Sequence, residues 1–341
     1  MTDLFALTLI KNAGDKSYDI TPLVGSMSWD SNLSLMSALE FDISWTDAKL
    51  FPVNPCELGD VVLLFKDGKE VYRGVIISEG RSGRQAIKYR VYDYAWYLGR
   101  SKSVYQFNKI SASQAILKIL KDFGMLVGKV PDMNTIIDDI FLEKSPAEII
   151  ETIYKRHEKA TGKRYNVEMR EGKIFFEEMK ELVIKGTFKL ADNIAPVDIL
   201  ANPLGADRSR SIEEMRNRVK ILIERDDKEK TKPKYEVVAV AQDESAIMKY
   251  GLLEETFKIE AEDAAKGREV ARILLQRLNR IHETNSLKVM GDVAFKAGRL
   301  WDVTEPVTGM KGRFMIIAAK HEVKNQVHTM ELTLALPEDV K

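Results

Sequence analysis

The chain has 341 residues, 45% of them hydrophobic and 30% charged, an ordinary globular composition and a length that suits roughly two to four compact parts. Its 52 Lys and Arg equal its 52 Asp and Glu, which argues against a general nucleic-acid binder while leaving room for a local basic patch. A single cysteine, Cys56, excludes an internal disulfide framework and a cysteine-built zinc site; it reads as a small, partly buried apolar residue of a chain that folds in a reducing cytoplasm.

The opening MTDLFALTLIKNAGDK has an acidic residue before a short alternating stretch, which is not the pattern of a signal peptide. Leu4, Ala6, Thr8 and Ile10 alternate with Phe5, Leu7, Leu9 and Lys11, as a strand requires. VGSMSWDSNLSLMSALEFDISW predicts two more strands around a polar turn. Asp67-Gly68 marks a tight hairpin, Gly83 the next turn, and IKYRVYDYAWYL is expected to alternate as a strand up to Leu98. The first hundred residues therefore read as a small barrel or sandwich.

At Ser111 the period changes. SASQAILKILKDFG predicts a helix with Ser111 or Ser113 as N-cap, Ala115, Ile116, Ile119 and Leu120 on one face, and a stop at Gly124. SPAEIIETIYKRHEKATG predicts a second, with a Ser145/Glu148 capping box, Pro146 at its first position and Gly162 at its end. Its apolar stripe is Ile149, Ile150, Ile153 and Tyr154. A hairpin follows around Glu171-Gly172, so residues 105–185 form a small α+β module. RNRVKILIERDDKEKTKPKYEVVAVAQ reads as two strands joined by a solvated, charged loop. Residues 262–283 are expected to form a long amphipathic helix, with Val270, Leu274, Leu278 and Ile281 on one stripe and Arg272, Arg277 and Arg280 away from it. The longest apolar runs, such as FMIIAA, are too short to span a bilayer.

Two segments share an outline: Gly59–Trp96 and Gly298–Leu336. Aligned from their first glycines, Gly74 matches Gly312, Val75 and Ile77 match Phe314 and Ile316, and Tyr89 and Val91 match Met330 and Leu332. The match is in pattern rather than identity and predicts two barrels of similar shape.

Chemistry-bearing motifs are scarce. His157, His282 and His321 each precede Glu, but the fifth positions are Thr161, Ser286 and Asn325, so none makes a zinc-binding helix. His321 and His328 are expected on neighbouring strands as a surface pair. No phosphate-binding loop, dinucleotide fingerprint or nucleophile elbow occurs. Carboxylates are plentiful, but the runs FEEMKE and IEEM read as solvated faces and nothing singles out an acid–base pair. Tyr92, Tyr94, Trp96 and Tyr97 come nearest to an aromatic platform for a sugar; their alternation reads instead as a strand with one core face. No catalytic residue, metal ligand or cofactor-binding residue is assigned.

The order of DITPLVGSMSW…SALEFDISW, LGDVVLLF..GKEVYRGVI and YRVYDYAWYL, then SASQAILKIL, SPAEIIETIY, IEEMRNRVKIL and SAIMKYGLLEE, resembles the baseplate hub proteins of contractile tails. These are the late-control protein D family and its XkdQ-like branch; the hub portion of type VI secretion spike proteins is similar. The resemblance covers nearly the whole chain. It implies an α+β, mainly β fold: two tube-protein-like β-barrel domains, a small α+β middle module and a long amphipathic helix. The expected boundaries are 1–101, 102–189 and 190–341. It further implies a non-enzymatic homotrimer, an adapter between the sixfold tail tube and the threefold central spike. Implied partners are the tail tube protein, the central spike protein, the tape measure protein and the baseplate wedge proteins, with no stable nucleic-acid binding and no membrane insertion. Such a protein is made in the bacterial host cytoplasm and ends in a virion or tail-like particle. The alternatives are a tail-associated peptidoglycan hydrolase, which needs a positioned acid and base, and a receptor- or carbohydrate-binding β-module.

Overall fold

The computed structural model describes residues 5–184 apart from 13, 15 and 47, then 205–225, 234–259, 261–305, 308–337 and 339–340. The chain divides into two compact units, one of residues 1–207 with 286–337, the other of 208–285 with 338–341. The charged loop expected between the two strands after Arg216 falls at 226–233, outside the described residues.

The first unit opens with β1 (Phe5–Ile10), β2 (Ser17–Asp19), β3 (Val24–Asn32) and β4 (Ala38–Ile43). Phe5, Leu7 and Leu9 of β1 point into the core while Ala6, Thr8 and Ile10 are half-buried, the period-2 pattern of a strand on a core. A meander follows: β5 (Val61–Lys66), β6 (Lys69–Gly80) and β7 (Ile87–Tyr92). Asp67 and Gly68 both take positive φ, the requirement of the two-residue turn that joins β5 to β6.

The expected strand through Leu98 stops at Tyr92. Asp93 is buried, accepts hydrogen bonds from the Ala95 amide (3.0 Å) and from the Ser37 amide (2.9 Å) and hydroxyl (2.7 Å), and turns the chain into helix α1 (Ala95–Arg100). A buried carboxylate that takes two amides and a hydroxyl overrides the alternation of the surrounding aromatics.

The middle elements are β8 (Ser103–Ser111), α2 (Ala112–Asp122), β9 (Leu126–Lys129), β10 (Ile136–Lys144), α3 (Pro146–Thr161), β11 (Tyr165–Arg170) and β12 (Lys173–Glu178). Both helices start on complete capping boxes, Ser111 with Gln114 and Ser145 with Glu148; α3 ends on Gly162 at φ 73°. β8 pairs with β10, and β11, β12 and β9 form a small sheet closed by the Glu171-Gly172 hairpin. Ile116, Ile119, Ile149, Ile153, Phe107 and Phe176 belong to the shared core of this part. Strand β13 (Val183–Ile184) then pairs in parallel with the later β19, and β14 (Gly205–Ser211) leads into the second unit.

The second unit holds β15 (Arg218–Arg225), β16 (Lys234–Gln242), α4 (Glu244–Tyr250), β17 (Glu254–Ile259) and α5 (Gly267–Leu278). Its sheet has the order β16-β15-β17, and α5 packs Ala271, Val270, Leu274 and Leu278 on Val219, Ile221 and Ala239. The long helix expected over 262–283 is thus a single 12-residue helix. Residues 261–266 wind as a 3₁₀ segment before it, and Asn279 leaves helical geometry at ψ 67° after it.

β18 (His282–Met290) returns the chain to the first unit, where β19 (Leu300–Glu305), β20 (Met310–Lys324) and β21 (Val327–Ala335) form a second meander. The main sheet runs β14-β18-β21-β20-β3-β4-β7-β6-β5-β1-β2, with β19 and β13 branching from β20. Among the described residues this order is an open path, so the strands do not close the two barrels expected from the sequence. The reason is local: β3 pairs with β20 of the other meander instead of turning back on its own. No described helix is long and apolar enough to cross a membrane.

Candidate functional site: the sheet seam and its open edges

The two meanders match in detail. In the first, the Gly59 amide donates to the Ile76 carbonyl (2.9 Å) and the Ile76 amide to the Asp60 carbonyl (2.9 Å). In the second, the Gly298 amide donates to the Ile316 carbonyl (2.8 Å) and the Ile316 amide to the Arg299 carbonyl (2.9 Å). Both glycines sit at positive φ, 89° and 79°. β6 then slips register against β7 between Ile76 and Ser78, and β20 slips against β21 between Ile316 and Ala318. The same bulge in both copies re-aims the strand in the same way. The geometry aligns Ile76 with Ile316, Val75 with Met315 and Val91 with Leu334. The sequence alignment is one residue out at Val75 and Ile77 and two residues out at the second glycine: Gly74 corresponds to Phe314, and Gly312 to Tyr72.

The copies are joined edge to edge. Past Ile316, β20 keeps β21 on one side and takes β3 on the other, with pairs from Ala318↔Asn32 to Lys324↔Ser26. Four aromatic rings fill this seam. Trp29 stacks on His321 at 4.8 Å and 3°, and Phe5 meets His328 edge-on at 5.0 Å. His321 Nε2 lies 2.9 Å from the Phe295 carbonyl, so Nε2 carries the proton and donates. His321 Nδ1 is then the acceptor for His328 Nε2–H at 3.1 Å. Burial pushes the His321 imidazole down to about 4. The two histidines do lie on neighbouring strands, but they are core residues, 1% and 3% exposed, rather than the surface pair expected. Gly291 packs directly on this pair: a β-carbon there would lie 2.2 Å from the His328 ring.

Of the other histidines, His157 is buried on α3 with Nδ1 2.8 Å from the Thr135 hydroxyl, and His282 Nδ1 lies 3.6 Å from Asp339. Cys56 is buried, which pushes its thiol up to about 12. Tyr94, Trp96 and Tyr97 leave the sheet with α1 and make no platform with Tyr92. Among the described residues no cluster of His, Cys, Asp and Glu is arranged to hold a metal.

One carboxylate stands out. Burial pushes Asp93 up to about 7, against the bonds from Ser37 and Ala95 that favour its charged form. Its crevice measures about 50 Å³, room for a few water molecules and not for a sugar ring. Its oxygens are already used to tie β4 to β7 and to start α1. The roomier hollows, about 430 and 470 Å³, lie on a polar face of β3, β4, β7 and β20, where Glu40 pairs with Arg90 and Asp42 accepts from Gly25 and Ser26.

Two strand edges stay unpaired among the described residues. β14 ends the sheet, with β18 as its sole strand partner. β6 beyond Ile76 pairs with β7 on one side and with no strand on the other. No sequence signal marks these edges, because pairing on one side only is a property of topology.

A model of the YQBQ-like family matches residues 27–335. The phage-like element PBSX protein XkdQ of Bacillus subtilis (strain 168) is 23% identical over 290 residues, 83% of this chain and 84% of that one. The fold is similar to that of the 43 kDa tail protein of prophage MuSo2 from Shewanella oneidensis, at a TM-score of 0.69 and 15% identity, covering 98% and 99% of the two chains. It is also similar to a chain of the Francisella PdpA–VgrG complex, at a TM-score of 0.55 and 10% identity, covering 99% of this chain and 59% of that one. With the family model spanning both meanders and everything between them, the chain is a member of the YQBQ-like family, and its fold is the one found in prophage tail proteins.

Proposed function

We propose that this chain is the baseplate hub of a contractile phage tail or tail-like particle, a trimeric adapter that joins the sixfold tail tube to the threefold central spike. The observation that carries the reading is the internal duplication: two meanders with the same glycine anchor and the same bulge, fused along one seam. Two equivalent parts per chain give six in a ring of three chains, which meets a sixfold tube on one side and a threefold spike on the other. The tube-like halves correspond to 1–101 and 190–341, with the α+β module at 102–189 between them. The role is mechanical rather than catalytic. Its partners are the tube, spike, tape measure and wedge proteins, met first in the host cytoplasm and then in the particle. The names of XkdQ and the MuSo2 tail protein, the neutral net charge and the occupied polar groups of the seam support this reading.

The test is the copy number of this chain in the assembled tail, by electron microscopy or native mass spectrometry. Three copies per particle are expected. Six, or two, would remove the adapter function, because the duplication would then no longer convert one symmetry into the other.

A further inference from the structure

Lys296 shares the crevice of Asp93, whose walls include Trp29 and His321 of the seam. It lies on the connection from β18 to β19, with its backbone fixed on both sides. The Phe295 carbonyl accepts from His321 Nε2 at 2.9 Å, the Ala297 amide donates to the Ser31 hydroxyl at 3.0 Å, and the Gly298 amide donates to the Ile316 carbonyl at 2.8 Å. The side chain is half-buried, and among the described residues its amine makes no hydrogen bond and no ion pair. The reason is competition for one carboxylate. A single oxygen of Glu168 lies 2.7 Å from Arg299 Nη2 and 3.1 Å from Arg170 Nε, while Arg170 Nη2 reaches Glu177 at 2.6 Å. Two guanidiniums against two carboxylates leave no counter-charge for a third cation. The other charged groups of the crevice are committed elsewhere. Asp30 accepts from the Ala38 amide at 3.0 Å, Arg73 holds Glu70 and faces Glu171, and Asp93 is tied to Ser37 and Ala95. His321 stays uncharged down to about 4.

An amine placed there favours its uncharged form. Burial disfavours the ammonium, Glu168 opposes this, and Arg299 and Arg170 add repulsion, which holds Lys296 below the usual lysine range. A neutral amine has its lone pair free, and desolvation next to other cations is how a lysine becomes a nucleophile. We propose that Lys296 is a nucleophilic modification site that takes a small acyl group from an acyl phosphate. The Nζ lone pair attacks the carbonyl carbon. The bond from that carbon to the phosphate oxygen breaks with its electron pair, phosphate leaves, and one Nζ proton passes to solvent. The product is a neutral amide, which removes the charge conflict with the two guanidiniums. Arg299 Nη1 is buried and has no hydrogen-bond partner, an unused cationic donor that suits the anionic leaving group. The crevice, about 50 Å³, admits an acetyl group and excludes a long acyl chain.

The probe is acetyl phosphate, applied to the purified chain near pH 7, with acetylation followed lysine by lysine by mass spectrometry. Lys296 should react roughly tenfold faster than the median exposed lysine, the gain that one pKa unit of extra free amine allows. Its rate should also level off at a lower pH than theirs, because its free-amine fraction saturates earlier. A rate at or below the median, or a pH profile that climbs in parallel with the exposed lysines, would overturn the proposal. Arg299→Gln separates charge competition from simple burial. It releases Glu168 to Lys296 and should return the Lys296 rate to the median, while the exposed lysines keep theirs. An unchanged Lys296 rate in that variant would overturn the role given to the guanidinium. Should the variant fail to fold, the pH profile of the native chain decides alone.

Discussion

His321 has one ring nitrogen committed to the Phe295 carbonyl, the other to His328, and its face to Trp29. A proton on Nδ1 would set two N–H groups against each other. As pH falls below about 6.5 the unfolded chain takes up a proton that the folded chain refuses until about 4. Stability is therefore full above that window and falls through it, by roughly 3 kcal/mol for this one group. Urea midpoints at pH 7 and pH 4.5 should differ more for the native chain than for His321→Gln; equal differences would contradict the assignment. The anchoring glycines make a second test. Gly59→Ala should cost about 1–2 kcal/mol for the positive φ alone. Gly298→Ala should cost more, because its β-carbon would also lie 2.2 Å from Asn166 Oδ1. Both are read from denaturant midpoints. Neither the histidine pair's burial nor the contact at Asn166 was legible in the sequence, since each depends on residues more than a hundred positions away; the two glycines were.

Elements governed by local chemistry were the ones that could be read in advance. The N-cap read at Ser111 or Ser113, which the structure assigns to Ser111 and completes with Gln114, the capping box at Ser145 and the stop at Gly162 all depend on residues within one turn. Ser145→Ala should cost about 1 kcal/mol, measured by thermal or urea unfolding; an unchanged midpoint would mean the cap is replaceable by water. The misread elements were those where a periodic pattern ran past its physical end. The stripe through Ile281 continues the helix on paper, but Asn279 leaves helical geometry, and the alternation of Asn285, Leu287 and Val289, all buried, takes over as β18. The aromatic run after Tyr89 likewise alternates on paper beyond the point where Asp93 turns the chain. The repeat was aligned one residue out at Val75 and Ile77 because Gly59 and Ile76 stand one residue closer than Gly298 and Ile316, and a strand slipped by one exchanges its two faces.

At the scale of the molecule, the cores differ in size. The first meander is lined by Phe41, Leu64, Tyr89, Val91 and many more fully buried side chains, whereas the second unit rests on Val219, Ile221, Ala239 and Ala271. A small core opens at lower cost than a large one. Amides of β15–β17 should therefore exchange with deuterium faster than those of β4–β7. Equal protection would show that the second unit borrows stability from outside its own core.

The seam and the open edges answer to different selection. A substitution at Trp29 or His321 is felt inside every newly made chain, so its phenotype is recessive: the product fails to fold and is cleared. A substitution on the edge of β6 past Ile76 leaves a chain that still folds. In the ring proposed above, such a chain, co-expressed with the native protein, would enter the assembly and spoil it for its neighbours. Alleles of that second class should therefore be dominant, lowering the yield of assembled particles far out of proportion to their abundance.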